Sequence, residues 1–267
     1  MNAVPDAYLG VWRRRLLTNT TGVRDDTSEV YWLQTAHLHG DVRLPQPPTL
    51  AASLETCSHA QQLALSEQAG FAGITGVNGD ICQWHRLIDF QPPGGRADIG
   101  RMRFESSERL LEDGLDNSYH EVWQRLPESQ GSNWGIWLSA ADEPARQACL
   151  LVAGEYFLFV ADRPIPLQGD ARHLRDQLAA VGPAVRPPLL ACELSFGRHR
   201  NGATPWQITH STLPGRVGDA LLSSYWQFAD PASLPDKDLA RMGRYAPEGG
   251  WQRVELPVFR IPLEVPA

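Results

Sequence analysis

Hydrophobic and polar residues alternate with a period of two along several stretches of this chain. Within VYWLQTA, Tyr31 and Leu33 point one way while Trp32 and Gln34 point the other, and residues 81–90 and 101–105 repeat the alternation. Turn-forming clusters such as NGD and PPGG bound these stretches. Short alternating segments separated by turns predict β-strands, and their regular spacing is typical of an antiparallel sandwich or barrel.

Two stretches follow a helical pattern instead. In residues 53–70 the apolar positions recur at helical spacing, Ser53 with Thr56 offers a cap, and Gly70 offers a stop. In residues 169–183 Asp170 offers a cap, and a Gly-Pro pair ends the pattern. We therefore expect one short helix in each half of the chain.

Several landmarks of the first half recur in the same order in the second. They are Gly10-x-Trp12 and Gly135-x-Trp137, Asp41 and Asp162, Cys82 and Cys192, and Trp-Gln-Arg at 123–125 and 251–253. The offset stays near half the chain, since Trp12 and Trp137 are 125 positions apart and Trp123 and Trp251 are 128 apart. Self-similarity at a fixed period marks repeated units. We predict an internal duplication with an N-terminal domain at 1–130 and a C-terminal domain at 131–267.

The first of these landmarks resembles the first strand of the lipocalins and, more broadly, the calycins. The wider pattern of W-R-R, Y-W-L-Q-T with D-V-R-L-P, W-H-R-x-I-D-F-Q-P and E-x-W-Q-R resembles the HRI1 family, most closely in the first half. That resemblance implies a mainly β protein of two tandem lipocalin-like or calycin-like antiparallel β-barrels. The resemblance implies that the tryptophan of the Gly-x-Trp motif closes the floor of the barrel. The family has no settled activity that could be carried over to this chain.

Composition narrows the classes of function. The 267 residues carry a net charge of −7 with a single lysine, Lys237. The chain therefore lacks the positive charge that binding to nucleic acid or to an anionic membrane requires. The N-terminus shows no secretory signal, and no apolar run is long enough to span a membrane. The four cysteines are far apart and form no C-x-x-C motif. We expect a cytoplasmic protein with reduced thiols, no cofactor and no structural zinc.

The first half supplies the residues for a ligand site. A small barrel holds either packed side chains or one small ligand. If Trp84 and Arg86 face inward, the Trp84 indole supplies a flat apolar wall. The Arg86 guanidinium can then bind a carboxylate or carbonyl with two hydrogen bonds. The predicted ligand-binding residues are Trp84, Arg86, Trp32, Gln34, Tyr119 and Trp123. In the alternative interpretation Trp84 is core and Arg86 pairs with Glu121 or Asp89, and a single bulge would reverse every inward assignment.

Three hypotheses follow for function. The first is binding of a small, mostly apolar ligand in the N-terminal barrel. The second is a cofactor-independent isomerase, lyase or hydratase in the same cavity, with Glu121 or His85 as acid or base. The third is a protein-interaction module with filled barrels, whose partner could be a second copy of the same chain in a homodimer.

Two further patterns have structural or metal-binding interpretations. His37 and His39 could bind a metal if Asp41 or His85 joined them, but two histidines do not make a site, and we predict none. The recurring Trp-Gln-Arg predicts scaffold instead, with its arginine stacked over the Gly-x-Trp indole.

Overall fold

The computed structural model describes residues 3–95, 97–167, 172–200, 204–222, 234 and 236–255. Nine strands of the first half form one antiparallel sheet. They are β1 (Gly10–Asn19), β2 (Arg24–Asp25), β3 (Glu29–Gln34), β4 (Leu38–Leu44), β5 (Ala69–Asn78), β6 (Ile81–Asp89), β7 (Asp98–Ser106), β8 (Arg109–Gly114) and β9 (Tyr119–Arg125).

Eight of these strands close into a barrel. The order is β1-β3-β4-β5-β6-β7-β8-β9, and β9 pairs back onto β1, while the two-residue β2 extends the far end of β1. Bulges interrupt the ladder at three places, between Arg14 and Leu16, Ala72 and Gly73, and Phe104 and Ser106. Because bulges add twist and curvature, they help a short sheet to close on itself. The predicted barrel is therefore present in the first half.

The second half forms an open sheet of six antiparallel strands. They are β10 (Asn133–Ala140), β11 (Gln147–Ala153), β12 (Tyr156–Ala161), β13 (Glu193–Arg198), β14 (Gln207–Ser211) and β15 (Trp251–Val254). The order is β14-β13-β12-β11-β10-β15, and within the described ranges β14 and β15 do not pair. The expectation of a second closed barrel is thus not met by the described residues. The first strand of each half does pair with its last, but tandem duplication stays a prediction.

The helices are short. They are α1 (His59–Leu65), α2 (Leu174–Ala180), α3 (Arg186–Leu190) and α4 (Asp236–Leu239). Ser58, not Ser53 or Thr56, caps α1, because its side chain accepts from the Gln61 amide while the Gln61 side chain bonds back to Ser58. The described residues of the second half form three helices where the sequence predicts one, and Asp170 lies outside those residues. In the part of the chain that the structure describes, no helix could cross a membrane.

One hydrophobic core joins the two halves. The outward faces of β3 and β4 contribute Leu33, Leu38 and Val42, and β11 and β12 contribute Leu151 and Leu158, all almost fully buried. Such a core forms because a sheet face this apolar must be removed from water. The division into domains at 130 and 131 stays a prediction, since each half buries its apolar face on the other.

Glycine allows a close approach of the two sheets. A Cβ built on Gly40 would lie 2.6 Å from Leu158 Cδ2 and 3.1 Å from Leu151 Cδ1, and both leucines are fully buried. A side chain at this position meets the leucine methyl groups, so these leucines must shift to make room for it.

We expect Gly40→Val to lower the free energy of unfolding by about 1–3 kcal/mol, because it overpacks the shared core. Urea unfolding followed by circular dichroism measures this change. The matched control is Gly182→Ala, at a position where an added Cβ meets nothing within 4 Å, and it should change stability little. Equal effects of the two substitutions would contradict the close packing of the sheets.

Arginine and tryptophan close the barrel floor as the sequence predicts for the first half. The Arg125 guanidinium lies 4.2 Å from the centre of the Trp12 ring, and Trp12 and Arg125 are partners across β1 and β9. Arg125 also donates to the carbonyls of Ala7, Leu9 and Ser107. Through these hydrogen bonds Arg125 holds the segment that precedes β1 against the floor of the barrel.

The second half arranges its corresponding residues differently. Trp137 lies opposite Val254 rather than Arg253, and Arg253 donates to the carbonyl of Leu234. The cation over the Trp251 ring is Arg146, at 5.3 Å. The predicted stacking of arginine on the Gly-x-Trp indole is thus wrong for the second half.

Replacement of Arg125 by methionine should destabilise the protein by about 2–4 kcal/mol, because three carbonyls lose a donor and one ring loses its cation. Thermal and urea unfolding would show the loss. Arg24→Met removes a side chain that is 62% exposed and serves as the control. An Arg125→Met protein as stable as this control would exclude a role in closing the floor.

Candidate functional site

The lower part of the barrel interior is filled with tryptophan. The Trp32 ring centre lies 6.4 Å from Trp12, 5.5 Å from Trp84 and 5.9 Å from Trp123, and all four side chains are buried. Trp84 of β6 therefore faces inward, an orientation that the sequence left open. Here it serves as part of an aromatic core, in agreement with the alternative interpretation given above.

The upper part of the interior is filled with paired charges. Arg14 contacts Glu121 at 2.9 Å, and Arg43 contacts Asp41 at 2.6 Å. Burying charged groups is costly unless they are paired and hydrogen-bonded, and both carboxylates meet that condition here. The charges therefore belong to the barrel interior, with Arg43 on the same face of β4 as the buried Asp41.

Glu112 links the charged and aromatic parts. Its carboxyl accepts hydrogen bonds from Tyr119 Oη at 2.8 Å and Trp123 Nε1 at 3.0 Å. It also lies directly across the sheet from Glu121. Burial and the neighbouring carboxylate raise the pKa of Glu112 well above its usual range, and burial also raises the pKa of Glu121. The pair therefore tends to hold a proton.

Very little space remains between these side chains. The residual cavity measures about 10 Å³, roughly the space of one water molecule. It is lined by Trp32, Asp41, Arg43, Phe71, Trp84, Asp98, Glu112 and Trp123. Three predicted ligand-binding residues, Trp32, Trp84 and Trp123, thus meet at one point, but an organic ligand does not fit there in this arrangement.

The other predicted ligand-binding residues have structural partners. Arg86 stacks on the Phe71 ring at 3.7 Å and pairs with Asp98 at 2.7 Å and Asp89 at 3.1 Å, at the barrel rim. The alternative pairing of Arg86 with Asp89 is therefore present. The carboxylate of Glu121 forms its ion pair with Arg14 instead.

Gln34 and Tyr119 are likewise engaged. The Gln34 side-chain oxygen accepts from Trp32 Nε1 at 3.2 Å and Thr75 Oγ1 at 2.8 Å, deep in the barrel. Tyr119 donates to Glu112. Both side chains hold the interior network together.

The two catalytic candidates do not share a cavity. Glu121 is inside the barrel, while His85 follows Trp84 on the opposite face of β6. His85 lines a groove of about 860 Å³ that also contains Trp84 and Arg86 and reaches from the barrel rim to Arg163 and Pro166 of the second half. The two alternatives for the acid or base therefore face different surroundings, a paired charge for Glu121 and an open groove for His85.

The two histidines considered for metal binding also lie in different surroundings. His37 is exposed in the turn before β4, whereas His39 is buried and contacts Thr75 Oγ1 at 3.0 Å. Burial lowers the pKa of His39 well below its usual value. Among the described residues, no group of three or more potential ligands could hold a metal ion.

A larger site lies where the two halves meet. This seam groove has a volume of about 960 Å³ and runs between the 45–51 segment, α1, and residues 209–217. Its apolar lining consists of Leu44, Pro45, Pro47, Pro48, Leu50, Ala51, Ala64, Leu65, Leu213, Pro214 and Val217. The sequence pattern did not predict it, because its walls come from loops far apart in the chain.

The rim and one end of the seam groove have distinct chemistry. Leu50 is 82% exposed and Val217 is 63% exposed, so two large apolar side chains at this groove face water. Its lining also contains Glu29 and His210. Behind them Tyr31 donates to Glu29 at 2.7 Å and lies 3.4 Å from His210 Nε2. The groove is thus mainly apolar with a hydrogen-bonding end.

Comparison with known proteins supports the fold. No model of a protein family matches the sequence, and no curated protein matches it. The structure is similar to that of the uncharacterised protein YLR301w from Saccharomyces cerevisiae, at a TM-score of 0.53 and 13% identity over 92% of this chain and 98% of that one. A lipocalin-like protein from Bacteroides uniformis matches at a TM-score of 0.31 and 10% identity, over 45% of this chain and 99% of that one.

The Glu112–Glu121 pair predicts a pH dependence of stability. A carboxyl whose pKa is raised on folding binds a proton more readily in the folded state, so stability falls as pH rises above the usual glutamate value of about 4.5. We expect Glu112→Gln to reduce this fall, because the amide cannot ionise. Urea unfolding at about pH 5 and pH 8 measures the difference.

The control for this prediction is Glu105→Gln, which alters an exposed carboxylate on the outside of β7. It should leave the pH dependence as in the wild type. A Glu112→Gln protein whose stability falls as steeply as the wild type between the two pH values would contradict proton retention by the buried pair.

Proposed function

We propose that this protein binds a small, mostly apolar ligand and that the seam groove holds it. The observation that carries the proposal is the seam groove, which combines free space with a mostly apolar lining, whereas the groove of about 860 Å³ beside His85 is lined by several charged side chains. The barrel interior leaves about 10 Å³, whereas the seam groove offers about 960 Å³. Ligand sites in proteins typically have volumes of about 300–1,000 Å³.

The lining of the groove favours an apolar occupant. Most of its wall is aliphatic or proline, and polar groups cluster near Glu29 and His210. Specific small-molecule sites combine a mainly apolar lining with a few placed polar groups. The exposed Leu50 and Val217 add an apolar rim that water covers in the free protein. A bound ligand would remove this surface from water, which supplies the driving force for binding.

Binding inside the barrel is the competing location. It would require the tryptophans around Glu112 to move, and the bond from Trp123 Nε1 to Glu112 would break. A buried carboxyl that loses a donor is left with an unsatisfied polar group, which costs about 1–3 kcal/mol. The seam groove needs no such rearrangement. Variants at the two locations distinguish them.

The test is titration with Nile red, an uncharged apolar dye whose emission rises in apolar surroundings. We expect saturable binding to the wild type and affinity at least about fivefold lower for Leu50→Glu and Val217→Glu, since each places a charge on the apolar rim. Val23→Glu is the matched control, because Val23 is 47% exposed and lies outside the groove lining. It should bind as the wild type does.

A barrel variant completes the design. Trp84→Phe alters the residual barrel cavity and leaves the groove lining unchanged, so the dye should bind it normally. Loss of binding in Trp84→Phe with normal binding in Leu50→Glu would place the ligand beside Trp84, in the barrel or in the groove at its rim, and would overturn the proposed location. No saturable binding to the folded wild type would refute the ligand-binding function.

A further inference from the structure

We infer that residues 45–51, called the strap below, form a lid on the seam groove that opens when one hydrogen bond breaks. The inference rests on the proposed function and adds how a ligand enters and leaves the same site. Since a bound ligand has most of its surface buried, one wall of its site must move aside to admit it. A comparison of the three walls of the groove shows which wall that is.

Two walls of the groove are fixed by burial and by the backbone. Leu65 at the end of α1 is almost fully buried and belongs to the core that joins the two halves. Leu213, in the wall formed by residues 209–217, is also almost fully buried in this core. Beside it the backbone N–H of Thr212 donates to the carbonyl of Leu194 at 3.1 Å. Neither wall can move without disturbing the core.

The strap has neither kind of support. Every one of its residues is exposed or half-buried, and three of the seven are prolines, which have no backbone N–H to donate. Among the described residues, no hydrogen bond from backbone to backbone holds any part of the strap. Segments with few buried contacts and few backbone hydrogen bonds open at a low cost in free energy. The strap is therefore the wall that can move.

Both ends of the strap are anchored. It begins directly after Leu44, which pairs with Glu29 across β4 and β3. It ends directly before Ala52, whose carbonyl oxygen lies 3.5 Å from Arg244 Nη1. The same oxygen would lie 2.1 Å from a Cβ on Gly215, so backbone packs directly against backbone there. Movement is thus confined to the residues between these two points.

Gln61 of α1 holds the strap closed between its anchors. Its side-chain Nε2 donates to the carbonyl of Leu50 at 2.8 Å. The orientation of this amide is fixed, because its Oε1 accepts from the backbone N–H of Ser58 at 2.8 Å. Within the described residues this is the one hydrogen bond that reaches residues 45–51. Its loss detaches the strap from α1.

Gln61→Glu breaks this bond and preserves α1. A glutamate carboxylate still accepts from the Ser58 N–H, as in other capping boxes, but it has no proton to donate to Leu50. Stopped-flow mixing of Nile red with increasing protein concentrations gives the association rate constant from the slope of the observed rate and the dissociation rate constant from its intercept. We expect both to rise about three- to tenfold, as the loss of one hydrogen bond allows.

The dissociation constant of Nile red should stay within about twofold of the wild-type value. The bond from Gln61 holds the strap closed both with and without the dye, so its loss speeds entry and exit by the same factor. A wall that only contacts the ligand behaves differently, because weakening it speeds exit alone and lowers affinity. The ratio of the two rate constants therefore distinguishes a lid from a fixed wall.

The matched control is Ala60→Glu, which adds the same charge one residue earlier in α1 and leaves the Gln61 bond intact. Ala60 is exposed and lies outside the groove lining. Both of its rate constants should equal those of the wild type. Circular dichroism verifies that the two variants are folded.

The outcomes separate the lid from the proposed function. If the dye binds but Gln61→Glu leaves both rate constants unchanged, or raises the dissociation rate constant alone, the strap is a fixed wall and the inference is wrong. Equal changes in Ala60→Glu would assign the effect to charge and would also overturn it. Without saturable binding of the dye to the wild type, the proposed function fails and the lid fails with it.

Discussion

The structure depends on covering the apolar outer wall of the barrel. In an isolated barrel the outward side chains of β3 and β4 would lie in water, yet here they are as apolar as a protein interior. The second sheet covers them, and Gly40 and Gly135 let Leu158 and Leu38 approach the opposite backbone. Two sheets of different shape are thus held as one body by burial of apolar surface.

This arrangement accounts for where free space is found. Inside the barrel, four tryptophans and a set of paired charges occupy the volume that could otherwise hold a ligand. Outside, the second sheet packs against β3 and β4 of the barrel wall and leaves free space beside this contact. The seam groove lies at one such edge, closed by the 45–51 segment and the segment after β14. The larger free volume therefore lies at the outer boundary of the barrel and not in its interior.

The sequence predicts the features that depend on local periodicity. Alternation in β6 places Trp84 and Arg86 on one face, and the Gly-x-Trp and Trp-Gln-Arg motifs predict the contact between Trp12 and Arg125. The period-two pattern predicts an antiparallel sandwich or barrel, and the resemblance to the lipocalins implies the barrel. Short-range signals are sufficient for these features since each involves neighbouring strands.

The sequence does not predict features that depend on volume or on distant segments. Alternation allows Trp32, Trp84 and Trp123 to face inward, but it does not show that their rings leave only a water-sized space. The pattern of β15 predicts a strand, but not whether the second sheet closes. The seam groove requires Leu50 and Val217 to meet, and neither lies in a periodic segment. The predicted ligand-binding residues lie in the barrel and at its rim, and none of them lines the seam groove.

The position of the seam groove would couple the proposed ligand binding to the cohesion of the two sheets. Its walls come from both halves, so a ligand there would touch the barrel side and the second-sheet side together. A molecule that binds only the folded form stabilises it, and this stabilisation grows with the logarithm of the ratio of ligand concentration to dissociation constant once that ratio is large. Ligand concentration would therefore set how firmly the two sheets are held together.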